Sequence, residues 1–147
     1  MTLLVAAVVV HDLFTDRVVL LRRGPQARFG RGLWDLPVGK NDPGEPVTLT
    51  AVRELREETG LVVAQEDLRL AHLVHAAHGA EAPDGFLTVV FVTHRWSGEL
   101  VNAEPAKHSE VCWVGTGEIP EDVVLSTDRM LAAALAGPAS VSLHGWS

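Results

Sequence analysis

Three glutamates, Glu54, Glu57 and Glu58, lie between a Gly/Pro-rich turn, Asn41-Asp42-Pro43-Gly44, and a glycine, Gly60. A turn signal, an apolar-periodic run and a terminal glycine together leave this segment little choice but a helix. The pattern predicts one from about Val47 to Thr59, with Leu49, Val52 and Leu55 as its apolar side and Gly60 as the left-handed cap. Pro46 stands where a serine or threonine cap is expected, leaving Thr48 or a carboxylate to serve in its place. At spacing i, i+3 and i+4 the three carboxylates point the same way. Like charges on one face weaken a free helix, so a bound cation would turn that cost into a site. The expected ion is a small divalent metal for pyrophosphate chemistry, because magnesium takes oxygen ligands and leaves room for substrate phosphates.

The rest of the chain bounds what such a site serves. Its 147 residues are the size of one domain, 1–147, and the net charge is -7. Without a Lys/Arg stripe, a nucleic-acid polymer is excluded as partner, whereas a small phosphorylated molecule is not, since a metal supplies positive charge locally. Cys112 is the only cysteine, so no intrachain disulfide forms, which fits a reducing, cytoplasmic setting. Leu3–Val10 is apolar but short, lacks a basic flank and ends at His11-Asp12; it reads as a first strand, not a membrane segment. Monomer and homodimer both remain open.

Along the chain, Leu3–Val10 and Val18–Leu21 predict a hairpin, followed by a loop from Gly24 to Gly32 that carries Arg28 and Arg31. Leu33–Val38 predicts a short strand cut off at Pro37. Strands are expected at Leu68–His75, Phe86–Trp96 and Glu110–Val114, with a loop from Ala76 to Gly85. Ser126 is the expected cap of a helix from Thr127 to Leu135, ended by Gly137, and Val141–Leu143 a small last strand. One α/β domain with a mixed sheet and two main helices is the economical result.

Gly39, Glu45, Arg53, Glu54, Leu55, Glu57, Glu58, Gly60 and Leu61 meet every fixed position of a spaced pattern. That pattern resembles the signature of the Nudix hydrolases, and Gly32-Leu33-Trp34-Asp35-Leu36-Pro37 looks like the family's lead-in strand. Val38 departs from it, standing where many members have a second glycine. The resemblance covers nearly the whole chain and implies an α/β/α sandwich. It further implies that Glu54, Glu57 and Glu58 hold Mg2+ or Mn2+ with the Gly39 carbonyl, while Glu45 and Arg53 brace the loop against the helix. A further acidic ligand is expected from a later loop, with Glu104 the better match and Glu99 and Glu110 as competitors.

The implied reaction is hydrolysis of a phosphoanhydride in a nucleoside diphosphate linked to another moiety. A nucleoside triphosphate giving monophosphate and pyrophosphate is the first choice. ADP-ribose, dinucleotide or sugar-nucleotide substrates, and a non-catalytic nucleotide sensor, are the alternatives. Glu54 is the expected base, with Glu104 also eligible. Arg22, Arg23, Arg28 and Arg31 are placed to meet phosphates, Phe29 and Trp34 to stack on a base, and Asn102 and Lys107 to touch substrate. His72, His75, His78 and His108 form no cluster with a cysteine and read as structural or surface residues.

Overall fold

The computed structural model describes residues 1–147. Eight strands run in chain order as β1 (Leu3–Asp12), β2 (Arg17–Arg23), β3 (Trp34–Asp35), β4 (Val38–Lys40), β5 (Arg69–Ala76), β6 (Phe86–Thr93), β7 (His108–Gly115) and β8 (Ser140–His144). Two helices accompany them, α1 (Val47–Thr59) and α2 (Thr127–Ala136). β1 is the axis of the mixed sheet. It pairs in parallel with β6 over its length and antiparallel with β4. β5 continues antiparallel from β6, and β8 closes that edge in parallel with β5.

The expected hairpin forms, but β1 and β2 pair only at its tip, through His11↔Val18 and Asp12↔Arg17. Beyond the tip the strands diverge, and β2 takes β7 along its length and β3 near its end.

Strand alternation sorts the core into two layers. From β1, Ala7 and Val9 join Met130, Leu131 and Ala134 of α2 in one cluster. Ala6, Val8 and Val10 face the other way and meet Ala51 and Leu55 of α1. Each helix therefore covers one face of the sheet, which is the α/β/α sandwich that the resemblance implies.

Four local expectations are corrected. Leu33–Val38 is not one strand: Asp35 pairs with Leu21, whereas Val38 pairs with Ala7. Pro37, which has no N–H to donate, lies at the crossing, and its carbonyl accepts from Val8 at 3.0 Å. On α1, Leu49 is 39% exposed, and the buried stripe runs instead through Thr50, Ala51, Leu55, Glu58 and Thr59. Neither helix has a side-chain cap. Thr48 donates to Gln65 Oε1 at 2.7 Å, and Ser126, held at φ 77, faces His144 Nε2 at 3.1 Å. Finally, β6 ends at Thr93, short of Trp96, where Thr93 Oγ1 accepts from the Arg95 N–H and donates to the Arg95 carbonyl. No helix is long and apolar enough to cross a membrane.

Candidate active site

The site is assembled around Arg53. Its Nε donates to Glu45 Oε2 at 2.8 Å and its Nη2 to Glu45 Oε1 at 3.0 Å, a two-pronged pair that suits a planar guanidinium. The same side chain donates through Nη1 to Glu54 Oε1 at 2.7 Å and through Nη2 to the Lys40 carbonyl at 3.0 Å. One arginine thus ties the end of β4, the turn and α1 together. Thr50 adds a hydroxyl to Glu45 Oε1 at 2.7 Å, and Asn41 donates to the Glu45 carbonyl at 2.7 Å. Hydrogen bonds from Arg53 and then Thr50 lower the Glu45 carboxyl from 4.5 to about 2. Arg56, three residues further along α1, is exposed.

Glycine at position 39 is required by this assembly. A Cβ there would lie inside the Glu54 carboxylate, so only a bare backbone lets β4 approach the acid. Gly60, at φ 76, has its own constraint: an added Cβ would sit 2.9 Å from Val101 Cγ2. This close contact seats the loop after β6 on the C-terminal end of α1. Val101 and Ala103 donate to the Thr59 and Glu58 carbonyls.

That docking brings Glu104 over the helix. Ligand atoms of Glu58, Glu104 and His108 all lie within 4.8 Å of one another. Glu58 is 5% exposed; its Oε1 accepts the Val38 N–H at 2.9 Å, and its Oε2 lies 3.4 Å from His108 Nε2. Burial first, and then the neighbouring Glu54 carboxylate, push Glu58 well above the usual carboxylate range. Burial likewise raises Glu54. No lysine or arginine pairs with Glu58, whereas Glu104 meets Lys107 at 3.2 Å. Burial lowers His108, whose Nδ1 has no hydrogen-bond partner.

Glu57 stands at the outer edge, its side chain 49% exposed and 3.4 Å from Arg53. Glu99 and Glu110 are exposed, and Glu110 lies on β7 opposite Arg22, outside the cluster. Asn102 turns inward and donates to the His108 carbonyl at 2.7 Å. His108, which reads from the sequence as a structural or surface residue, is not at the surface: it opens β7, is 5% exposed and sits beside Glu58 and Glu104. Its only sequence signal was its position four residues after Glu104.

Beside the acids lies a pocket of ≈ 540 Å³, walled by Val38, Val74, Phe86 and Met130 and lined also by Gly39 and Lys40. Its size suits a nucleotide-sized ligand. Arg23 lies over the Phe29 ring at 4.1 Å and donates to the Phe29 carbonyl; both residues line the pocket. Arg28, by contrast, is largely exposed and pairs with Glu81 at 3.4 Å. Trp34 packs partly against the α2-side core beneath Arg22. Asp35 was passed over in the sequence, although an acid within the apolar run Leu33 to Val38 was the available signal. It is 4% exposed and also lines the pocket.

The donor set fits a small divalent cation. The buried carboxylate of Glu58, the partly exposed acids of Glu54 and Glu104, the closely approached Gly39 backbone and His108, whose Nε2 faces Glu58, come together where no lysine or arginine balances Glu58.

A family model described as NUDIX domain matches residues 1–134. The uncharacterized Nudix hydrolase YvcI of Bacillus subtilis is 29% identical over 107 residues, which are 73% of this chain and 64% of that protein. An ADP-ribose pyrophosphatase of Mycobacterium tuberculosis is 65% identical over a shorter stretch of 34 residues, 22% of this chain and 16% of that one. The crystal structure of a MutT NUDIX hydrolase from Burkholderia pseudomallei matches with a TM-score of 0.79 at 25% identity, covering 90% of this chain and 98% of that one. The chain spans 46% to 64% of the length of the first curated relatives it matches.

Proposed function

The chain belongs to the NUDIX domain family, and from that membership we propose that residues 1–147 form one metal-dependent hydrolase domain. It would cleave a phosphoanhydride bond in a nucleoside diphosphate linked to another moiety. The first-choice substrate is a nucleoside triphosphate, giving monophosphate and pyrophosphate. One observation carries the reading: Glu58 is a buried acid without a side-chain cation, crowded by Glu54 and Glu104 beside the Gly39 backbone.

Glu54, Glu57, Glu58 and Glu104, with the Gly39 carbonyl, would hold Mg2+ or Mn2+. When bound, such an ion offsets charge on phosphate oxygens and lowers the pKa of a water. The chain's own contribution is positioning. Arg53 takes Glu54 Oε1, leaving Oε2 beside Gly39 to receive the proton of the attacking water. Burial, which raises the proton affinity of Glu54, suits it to that role. Glu104 is the alternative base. Glu45 and Arg53 hold the turn against α1, so the acids keep their spacing when substrate enters from the pocket.

A second reading, ADP-ribose as substrate, is favoured by the local match to the mycobacterial ADP-ribose pyrophosphatase. Phosphorus NMR of products formed from nucleoside triphosphates and ADP-ribose, in isotopically labelled water with Mg2+ or Mn2+, tests both. Pyrophosphate release supports the first reading. AMP and ribose phosphate support the second, and no metal-dependent product from either overturns the hydrolase reading.

A further inference from the structure

Phe14 projects from the tip of the β1–β2 hairpin with 98% of its surface exposed, and Leu13 beside it is exposed too. This knob is not loose chain. Asp12 Oδ1 accepts the Phe14 N–H at 3.0 Å, and Asp12 Oδ2 accepts the Thr15 hydroxyl at 2.9 Å. On the other side of the turn, Asp16 accepts the Thr116 hydroxyl at 2.8 Å and lies 2.8 Å from His11 Nε2. A braced turn thus holds an aromatic ring in water. Such a ring gains by burial against a partner, and its rigid presentation reduces the entropy lost on binding.

The same end of the molecule carries a hole. A cleft of ≈ 570 Å³ is lined by Trp96, Trp113, Leu61 and Leu100, with Arg17 and Glu99 also in its wall. The two indoles pack on each other, 5.2 Å apart and tilted by 44°, and both remain partly exposed. Arg17 lies 5.8 Å over the Trp113 ring and donates through Nε to the Thr15 hydroxyl, yet neither it nor Glu99 is in an ion pair. The hairpin tip carries two acids, Asp12 and Asp16, so the tip of a second copy would bring to the cleft both an aromatic ring and the carboxylate that Arg17 lacks. Knob and hole are neighbours, since Arg17 pairs with Asp12 in the hairpin and also lines the cleft. A two-fold exchange, in which each copy's tip enters the other's cleft, needs that adjacency. We propose that this end of the sheet is a homodimer interface, with Phe14 of each copy seated against Trp96 and Trp113 of the other. Two inserted phenylalanines, with Leu13 and the cleft walls they cover, bury about 1,000 Å² in all, the size of a weak, reversible dimer. β2 and β7 pair Arg17 with Gly115 at this end and Arg23 with His108 at the other, so the dimer leaves the acidic cluster open.

Sedimentation equilibrium of the full chain from about 1 μM to about 1 mM is expected to show monomer and dimer exchanging with a dissociation constant of about 10–100 μM. Phe14→Ala changes a ring that its own fold leaves in solvent, so circular dichroism should match wild type while the constant rises about tenfold or more. Arg17→Glu is expected to weaken the dimer as well, by setting acid against acid. Isotope-filtered NMR on an equal mixture of labelled and unlabelled protein locates the seat, through contacts from the Phe14 ring of one copy to the Trp96 and Trp113 indoles of the other. A dimer as tight in Phe14→Ala as in wild type, or contacts from Phe14 to a surface other than the cleft, overturns the assignment. So does a monomer throughout the concentration range, which would leave the cleft to another occupant, such as a small aromatic molecule.

Discussion

Glu58 Oε2 and His108 Nε2 lie 3.4 Å apart, one from the last turn of α1 and the other from the first residue of β7, with both side chains 6% exposed. Burial pushes the two groups in opposite directions, the acid up and the imidazole down, so each is driven toward its neutral form. A cation between Glu58 and Glu104 would reverse the pressure on the acids.

Glu58→Gln and Glu57→Gln should therefore differ. Both are expected to lower turnover at saturating substrate, but Glu58→Gln by far more, because Glu58 is buried in the cluster and Glu57 is half exposed at its rim. Steady-state kinetics across a metal titration check this. Equal turnover for Glu58→Gln and wild type would remove Glu58 from the ligand set.

Gly39→Ala is expected to leave the fold standing while cutting turnover by about 100-fold. The added methyl must push the Glu54 carboxylate aside, and displacements of about 1 Å at a reacting centre cost on that scale. Circular dichroism alongside kinetics separates this from unfolding. A variant as active as wild type would show that Glu54 needs no such approach.

Arg53→Lys should behave as a drastic change despite keeping the charge. A lysine cannot grip Glu45 through two nitrogens while also reaching Glu54 and the Lys40 carbonyl. Turnover or metal affinity is expected to fall about 10- to 100-fold. The Glu45 pair also has a pH signature. Because its folded pKa is depressed to about 2, its contribution to stability is present above the unfolded value of 4.5 and is lost as pH falls toward 2. Acid unfolding of Glu45→Gln should lack that component.

Asp35 predicts the opposite slope. Burial raises it from 3.8 to about 6, against opposing contributions from the Leu36 N–H, Arg23 and Thr127. The folded protein binds this proton more tightly, so the contribution is full below pH 3.8 and lost as pH rises through 6. At about 1.4 kcal/mol per unit, the change is about 3 kcal/mol. Urea titrations between pH 4 and 7 should show the decline in wild type and a flatter profile in Asp35→Asn. Parallel profiles would contradict the buried-acid account.

What the residues reveal in order is local. Turn chemistry at Asn41–Gly44, the helical spacing of the glutamates and Gly60 mark out α1 to the residue, because caps and periodicity act within a few positions. The same spacing places Glu54, Glu57 and Glu58 on one helix. It could not say that Glu58 would be buried, Glu57 left at the rim and Leu49 left outside, since these depend on the angle at which α1 meets the sheet. The splitting of Leu33–Val38 between two strand partners is likewise a matter of pairing, even though Pro37 marks the place. The chain order by itself determined the acidic helix and the alternation that builds a two-faced sheet, while the bracing by Glu45 and Arg53 is implied by the family resemblance. Only the tertiary structure decided that His108 joins Glu58 and Glu104, and that Asp35 and Arg23 share a pocket wall. Those meetings come from contacts between distant segments, whose burial and relative placement no local pattern encodes.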